Sequence, residues 1–203
     1  MAKIILIAGG SASGKSYVIT EVTKAIGLDN ITHISIDDYY NKVDDMPLEE
    51  RHKINYDHPR AFDWKLFRTQ LEDLKNDKTI EKPLYDYANF NRRNEVEIVN
   101  PKKIILVEGI TALVDKKCRD LADLKVFINA SRERRLVRRI ERDQKERGRT
   151  FDNIVSQYFD TVQPMYEEII GPSQVYADVI INNDGVKNDS IRALTAIIKD
   201  YLK

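Results

Sequence analysis

Gly9-Gly10-Ser11-Ala12-Ser13-Gly14-Lys15-Ser16 is a complete G-x-x-x-x-G-K-[ST] motif, and it follows directly on the apolar run Ile4-Ile5-Leu6-Ile7-Ala8. Such a loop leaves the end of a strand and enters a helix, because its backbone N–H groups and the helix N-terminus together surround phosphate oxygens. The next residues meet that demand. After Lys15, apolar residues fall at 18, 19, 22, 25 and 26, which is helical spacing, and Gly27 stops the pattern. The chain is therefore expected to bind a nucleoside triphosphate through residues 9–17, with Lys15 reaching the β- and γ-phosphates, the Ser16 hydroxyl on Mg²⁺, and Tyr17 opening the helix.

Short Ile- and Val-rich runs recur at 3–8, 31–36, 103–107, 124–129 and 178–181. Helical patterns near 15–26, 61–76, 131–147, 150–169 and 186–202 separate most of them. This alternation predicts an α/β architecture of the P-loop NTPase type, a five-stranded parallel sheet with helices on both faces. Residues 79–99 break it: Ile80, Pro83, Tyr85 and Tyr87 precede a polar stretch and then Val96, Ile98 and Val99, which predicts an inserted antiparallel hairpin. At 203 residues, 1–203 is expected to be one domain. Ser131 and Thr150 are candidate helix caps, and Gly171-Pro172 is expected to close the helix ending near Ile170.

Lys plus Arg and Asp plus Glu each total 33, so no overall field draws the chain to nucleic acid or an anionic membrane. Cys118 is the sole cysteine, the first residues read as a strand rather than a signal peptide, and no apolar run reaches membrane-spanning length. A soluble cytoplasmic protein is expected.

The second and third strands end in acids. Strand 103–107 is followed by Glu108, where a P-loop protein places a second Mg²⁺-orienting carboxylate. Strand 31–36 runs into Asp37-Asp38-Tyr39-Tyr40, which makes Asp37 a candidate base for an attacking hydroxyl; an ordinary turn or cap is the competing reading. Asn41-Lys42-Val43-Asp44 matches a guanine-reading pattern but lies too near the loop, and no D-x-x-G motif accompanies it.

From 132 to 149 nine Arg or Lys residues face four acids, and Arg135, Arg139 and Arg142 share one helix face. The favoured reading is a lid at about 132–150 whose guanidiniums close on phosphates, with Gly148 as a flexible point. A nucleic-acid arm and a solvated helix paired through Glu133, Glu141 and Glu146 are the alternatives. Asp57, in Asn55-Tyr56-Asp57-His58-Pro59, is able to accept from two neighbouring hydroxyls, as a ribose diol requires; a helix-entry role is the alternative. His33 and His52 lack metal-ligand spacing.

Taken in order, the loop motif, Asp37-Asp38-Tyr39-Tyr40, Asn55-Tyr56-Asp57-His58-Pro59 with Ala61-Phe62-Asp63, Pro83-Leu84-Tyr85-Asp86-Tyr87, Glu108-Gly109-Ile110 and Glu146-Arg147-Gly148-Arg149 resemble the uridine kinase (uridine-cytidine kinase) family. Gln157-Tyr158, Pro164-Met165-Tyr166-Glu167-Glu168 and Tyr176-Ala177-Asp178 extend the match over nearly the whole chain. The resemblance implies transfer of the γ-phosphoryl of ATP or GTP, with Mg²⁺, to the 5′-hydroxyl of a pyrimidine ribonucleoside in salvage, and a homo-oligomer, commonly a tetramer. It implies Asp37 as catalytic acid/base and Asp57 as the ribose carboxylate. Tyr85 takes the place of the base-contacting tyrosine, with Tyr40 and Phe90 on the same substrate side. Arg139, Arg149 and Gln157 are implied substrate contacts, and Arg142 and Arg147 lid residues near phosphate. The adenine-side turn is expected near 184–188, with no residue assigned. One departure stands out: Phe90 occupies a position where many members have a histidine that bonds the pyrimidine edge. A phosphoribulokinase-like or nicotinamide riboside kinase-like enzyme and a non-catalytic nucleotide-binding regulator are the alternative readings.

Overall fold

An uninterrupted apolar strand is stable only with both faces covered. In the computed structural model, which describes residues 1–185 and 187–202, residues 4–8 are wholly buried. In chain order the elements are β1 (Lys3–Ala8), α1 (Lys15–Ile26), β2 (Ile31–Ser35), a short α2 (Leu48–Arg51), α3 (Trp64–Lys75), β3 (Ile80–Asp86), β4 (Asn91–Val99) and β5 (Ile104–Glu108). Then come α4 (Lys116–Leu121), β6 (Leu124–Asn129), α5 (Arg132–Arg147), α6 (Phe151–Gln157), α7 (Gln163–Met165), β7 (Val179–Asn182) and α8 (Lys187–Asp200). Five strands form one parallel sheet in the order β2-β5-β1-β6-β7.

Successive side chains of a strand point to opposite faces. Ile4 and Leu6 accordingly join Ile105, Val107 and Phe127 against Phe67, Leu71 and Leu74 of α3. Ile5 and Ile7 join Leu106, Val126 and Ile128 against Val18, Ile19 and Val22 of α1 and Leu194 and Ile198 of α8. The chain leaves β1 toward β5 and β2 on one side and later fills β6 and β7 on the other. This reversal opens a crevice at the carboxyl ends of the strands. Ile7 and Ser35 are both in register with Glu108, so the ends of β1, β2 and β5 stand side by side there.

The 79–99 insertion is the expected hairpin, β3 paired antiparallel with β4 and irregular between Pro83 and Tyr85. Two cations dock it on the loop after β2. Arg92 donates from Nε to Tyr40 O (2.5 Å) and from a terminal nitrogen to Tyr39 O (3.1 Å). Buried Lys82 reaches Asp38 (2.5 Å) and Glu97 (3.2 Å). The Asn41-Lys42-Val43-Asp44 segment helps: Asn91 Oδ1 accepts from Val43 N and its amide donates to Asp44.

Some boundaries differ from expectation. The helix predicted from 61 begins at Trp64, because Pro59 sets a 3₁₀ turn and Asp63 caps the helix by accepting from Leu66 N (3.0 Å). The 150–169 helix is interrupted by π-helical stretches at Tyr158–Val162 and Tyr166–Ile170 around α7; Pro164 lacks an N–H for the regular ladder over the first, and Gly171 N donates to Tyr166 O (2.7 Å) at the end of the second. Thr150 caps α6 as expected, accepting from Asn153 N at 3.4 Å. Ser131 does not cap α5 with its side chain; its own N–H donates to Asp184 at 2.8 Å, so the post-β7 loop holds this helix start. Gly171 is right-handed (φ −58°), so the turn Pro172–Tyr176 ends that helix rather than a left-handed glycine. The predicted 186–202 helix appears as α8; Val186 of that helix and of the expected adenine-side turn lies outside the described residues. No helix among the described residues is long and apolar enough to cross a membrane.

Leu6, wholly buried in the central strand, is expected to carry a large share of this packing. Leu6→Ala should lower unfolding free energy by about 2–5 kcal/mol in urea titrations followed by circular dichroism.

Candidate active site

Gly9 has φ +152°, and a Cβ there would sit 2.3 Å from Ile128 O; Gly14 has φ +92°, and a Cβ there would sit 2.4 Å from Asn183 Nδ2. Side chains are excluded at both positions by conformation and by space, which keeps the loop's N–H groups uncovered. Neighbouring elements fix its outer edge. Ser13 O accepts from Asn183 Nδ2 (2.8 Å) and more weakly from Arg138 (3.4 Å), and Ser11 Oγ accepts from Arg139 (2.8 Å). Lys15 is buried, its ammonium donating to Gly9 O (2.8 Å) and Gly10 O (3.1 Å). Burial pulls its pKa below the ordinary value, against the raising effect of Glu108 and Asp37. Tyr17 is exposed on the first turn of α1.

Ser16 Oγ lies 3.2 Å from both carboxylate oxygens of Glu108. Burial alone would raise the Glu108 carboxyl, but hydrogen bonding from His33, the Lys15 charge and the Ser16 hydroxyl hold it below its ordinary value. Asp37 sits in the 3₁₀ turn Ile36–Tyr39, with its N–H donating to Ser35 Oγ (3.3 Å). Its Oδ1 is buried with no hydrogen-bond partner. Burial, and then the neighbouring charges of Glu108, Asp57 and Asp38, push its pKa up to about 6 despite Lys15. Two neighbouring carboxyls are thus driven apart, Glu108 downward and Asp37 upward, by their different surroundings.

The predicted lid turns inward. Arg139 donates to Ser11 of the loop and to Gln157 Oε1 (2.8 Å), and Arg149 donates to the same Oε1 (2.6 Å). Asp57 faces this group across the crevice: burial raises its pKa, and Arg139, Lys15, Arg142 and Arg147 oppose that rise. The acid at the centre of these arginines was not singled out from the sequence. Asp143 is wholly buried, with Arg139, Arg142, Arg147 and Arg149 within 3.7 Å of its carboxylate. Its spacing of four from Arg139, on the stripe that also buries Arg135, was the available signal. Among the described residues no ion pair joins Glu133, Glu141 or Glu146 to these arginines, contrary to the solvated-helix alternative.

Residues 4–189 match the model of the phosphoribulokinase / uridine kinase family. The chain belongs to that family. It is 44% identical over 200 residues to a protein from Ligilactobacillus salivarius named uridine kinase, covering 98% of this chain and 94% of that one. A uridine kinase from Clostridium tetani is 42% identical, with 98% and 96% covered. Among solved structures, the fold is similar to that of a putative fructose transport system kinase from Silicibacter sp. TM1040 (TM-score 0.73, 20% identity, 88% and 89% covered). It is also similar to phosphoribulokinase from Rhodobacter spheroides (TM-score 0.65, 17% identity, 89% and 70% covered).

In this family member, Asp57, Arg149 and Gln157 line one cavity of about 300 Å³ together with His52, Tyr56 and Thr161. Next to it stands an aromatic wall. Tyr40 stacks on Phe62 (4.5 Å) and meets Tyr56 and Tyr85 (both 5.0 Å). Phe90, at the hairpin turn with φ +49°, packs against Tyr56 (5.8 Å) and His52 (4.4 Å). The structure thus brings Tyr40, Tyr85 and Phe90 together, and adds Tyr56 and Phe62, which lie in quoted motifs but were given no role there, and His52, which no motif marked. A second cavity of about 380 Å³ includes Asn41, Val43 and Arg60 and holds none of the predicted site residues.

A raised carboxyl costs stability once ionised. The cost at Asp37 is absent below its ordinary pKa of 3.8, grows from there to about 6, and is complete above. Asp37→Asn should therefore raise unfolding free energy by about 1–3 kcal/mol at pH 7.5. The gain should fade as denaturation is repeated below pH 4.

Proposed function

We propose that this protein is a nucleoside kinase transferring the γ-phosphoryl of ATP or GTP to the 5′-hydroxyl of a pyrimidine ribonucleoside. The observation that carries the reading is the unpartnered, buried Oδ1 of Asp37, set among Lys15, Glu108 and Asp57. A buried carboxylate oxygen without a donor suits a substrate hydroxyl, and its nearest charged neighbours are the groups expected to hold phosphate and ribose. The relatives named uridine kinase, alike over nearly their whole length, support the same choice.

In this reading the backbone of residues 9–16 cradles the triphosphate and Lys15 moves from the loop carbonyls to the phosphates. Tyr17 borders the donor site. Asp57 accepts from the ribose diol, and Arg139, Arg149 and Gln157 fix the nucleoside. Tyr40, Tyr85 and Phe90 enclose the base. Asp37 takes the 5′-hydroxyl proton as the O5′–Pγ bond forms and the bond from Pγ to the β-phosphate oxygen breaks, releasing the nucleoside diphosphate. Arg142 and Arg147 neutralise charge on the phosphoryl group in flight. Ser16 and Glu108 offer two hard oxygen donors, which suits a Mg²⁺ that keeps waters and phosphate oxygens as its other ligands. Bound there, Mg²⁺ would supply charge neutralisation on the β- and γ-phosphates. The enzyme works in the cytoplasm, in pyrimidine salvage, as a homo-oligomer, on small molecules rather than on nucleic acid or membrane.

ADP formation from Mg-ATP should depend on uridine or cytidine and not on purine nucleosides, nicotinamide riboside or ribulose 5-phosphate. Absence of acceptor-dependent ADP with both pyrimidine nucleosides would overturn the reading. Because Asp37 must be ionised to act, kcat should rise through about pH 6 and flatten above it. Asp37→Asn should lower kcat by about 10²–10⁴-fold, leave ATP affinity nearly unchanged and abolish that limb. Phe90→His should shift the uridine-to-cytidine ratio of kcat/KM by about tenfold, since it gives an apolar wall a group that bonds a base edge; an unchanged ratio would exclude Phe90 as the discriminator.

A further inference from the structure

We propose that Asp143 is the positioning residue of the arginine lid: its carboxylate gathers Arg139, Arg142, Arg147 and Arg149 and sets the direction in which they meet the transferring phosphoryl group. The inference rests on the kinase reading above, which gives those arginines their role.

Three guanidiniums of α5 and that of Arg149, two residues beyond the helix, repel one another; one-turn spacing places Arg139 and Arg147 beside position 143, but spacing alone does not overcome that repulsion and make all four converge. Asp143 supplies the reason that they do. It has no exposed surface, yet Arg142 approaches Oδ1 with both Nε (2.8 Å) and a terminal nitrogen (2.7 Å). Two donors on one oxygen hold the guanidinium plane as well as its position. Arg147 Nε stands 3.7 Å from the same oxygen. Arg139 Nε (3.7 Å) and Arg149 (3.6 Å) flank Oδ2 at ion-pair distance, beyond hydrogen-bond reach. Arg149 is held twice, because Gly148 (φ +61°) reverses the chain and lets Arg149 N donate to Asp143 O at 3.1 Å.

The network continues to the phosphate loop. Arg139 and Arg149 share Gln157 Oε1, and Arg139 also donates to Ser11, so a displacement at Asp143 passes through one guanidinium to the loop. Arg142 and Arg149 remain partly exposed and Arg147 about half exposed, so each is bound from behind by Asp143 while another edge stays open. A single carboxylate against four cations leaves the cluster positive, as a triphosphate site requires. Asp143 thereby orders the arginines without cancelling them.

The test is a double-mutant cycle on kcat and on Mg-ATP affinity with Asp143→Asn and Arg142→Ala, singly and together, with thermal unfolding recorded for each. Asparagine keeps the shape and removes the charge. Asp143→Asn should lower kcat by about 30-fold, within the range seen for small misplacements of catalytic groups. Mg-ATP should bind as tightly or more tightly, because a negative charge near the phosphates is gone. In the Arg142→Ala background the same substitution should cost less than about threefold, since residues that act as a unit are non-additive. Wild-type kcat in Asp143→Asn would overturn the proposal. So would an equal loss in both backgrounds accompanied by weakened nucleotide binding, which is what a purely structural role produces. Should the asparagine form fail to fold, Asp143→Glu retains the charge on a longer stem and is read in the same cycle. A wild-type enzyme inactive on uridine and cytidine would overturn the functional reading alone; the coupling of Asp143 to Arg142 in Mg-ATP affinity would then decide this one, its absence counting against it.

Discussion

Everything in this molecule depends on a strand that cannot face water. The five residues 4–8 are wholly buried, so α1 and α8 must cover one face of the sheet and α3 the other. The chain can meet that demand only by running to both sides of β1, and this places a crevice at the strand ends. Gly9 then leaves β1 so close to Ile128 that any side chain would collide with a backbone carbonyl. The phosphate loop is thus a consequence of the core's packing as much as of its own glycines.

The electrostatic design grows from the same crowding. Parallel strands ending together bring Glu108, Asp37 and Lys15 into one desolvated space, where each alters the others' protonation. Glu108 has His33, Ser16 and Lys15 to favour its ionised form. Asp37 has a buried oxygen without a donor, and its pKa rises. Chemically similar carboxylates acquire different properties from their surroundings. Asp143 pairs with the arginines of α5, and the same Arg139, Arg142 and Arg147 oppose the rise that burial imposes on Asp57.

Much of the fold was legible because it is written in local periodicity. The five strands, the α1 start at Lys15, the arginine helix and the 79–99 hairpin are all recoverable from apolar spacing and turn residues. Where long-range contacts override local preference, the reading failed. Ser131 looked like a cap, but Asp184 from beyond β7 takes its N–H. Short α4 carries no long periodic run, and the π-helical stretches at Tyr158–Val162 and Tyr166–Ile170 leave no mark in an otherwise helical pattern. In the site, Asp37, Asp57 and Glu108 could be named from their places beside strands and turns. His52 could not, since a lone histidine reads in one dimension as surface, and Asp143 left only its one-turn spacing from Arg139 and Arg147, which on a polar helix reads as an ordinary exposed pair.

The sequence by itself determined that a buried strand, a phosphate-binding loop and a helix succeed one another, and that acids follow the strands flanking them, because these are properties of neighbouring residues. Only the tertiary structure decided which side chains share a space. It turned the lid arginines inward onto Asp143, left Asp37 Oδ1 without a partner, and set Phe90 against His52 and Tyr56. Burial, and the electrostatics that burial strengthens, arise between residues far apart in the chain, and no local pattern encodes them.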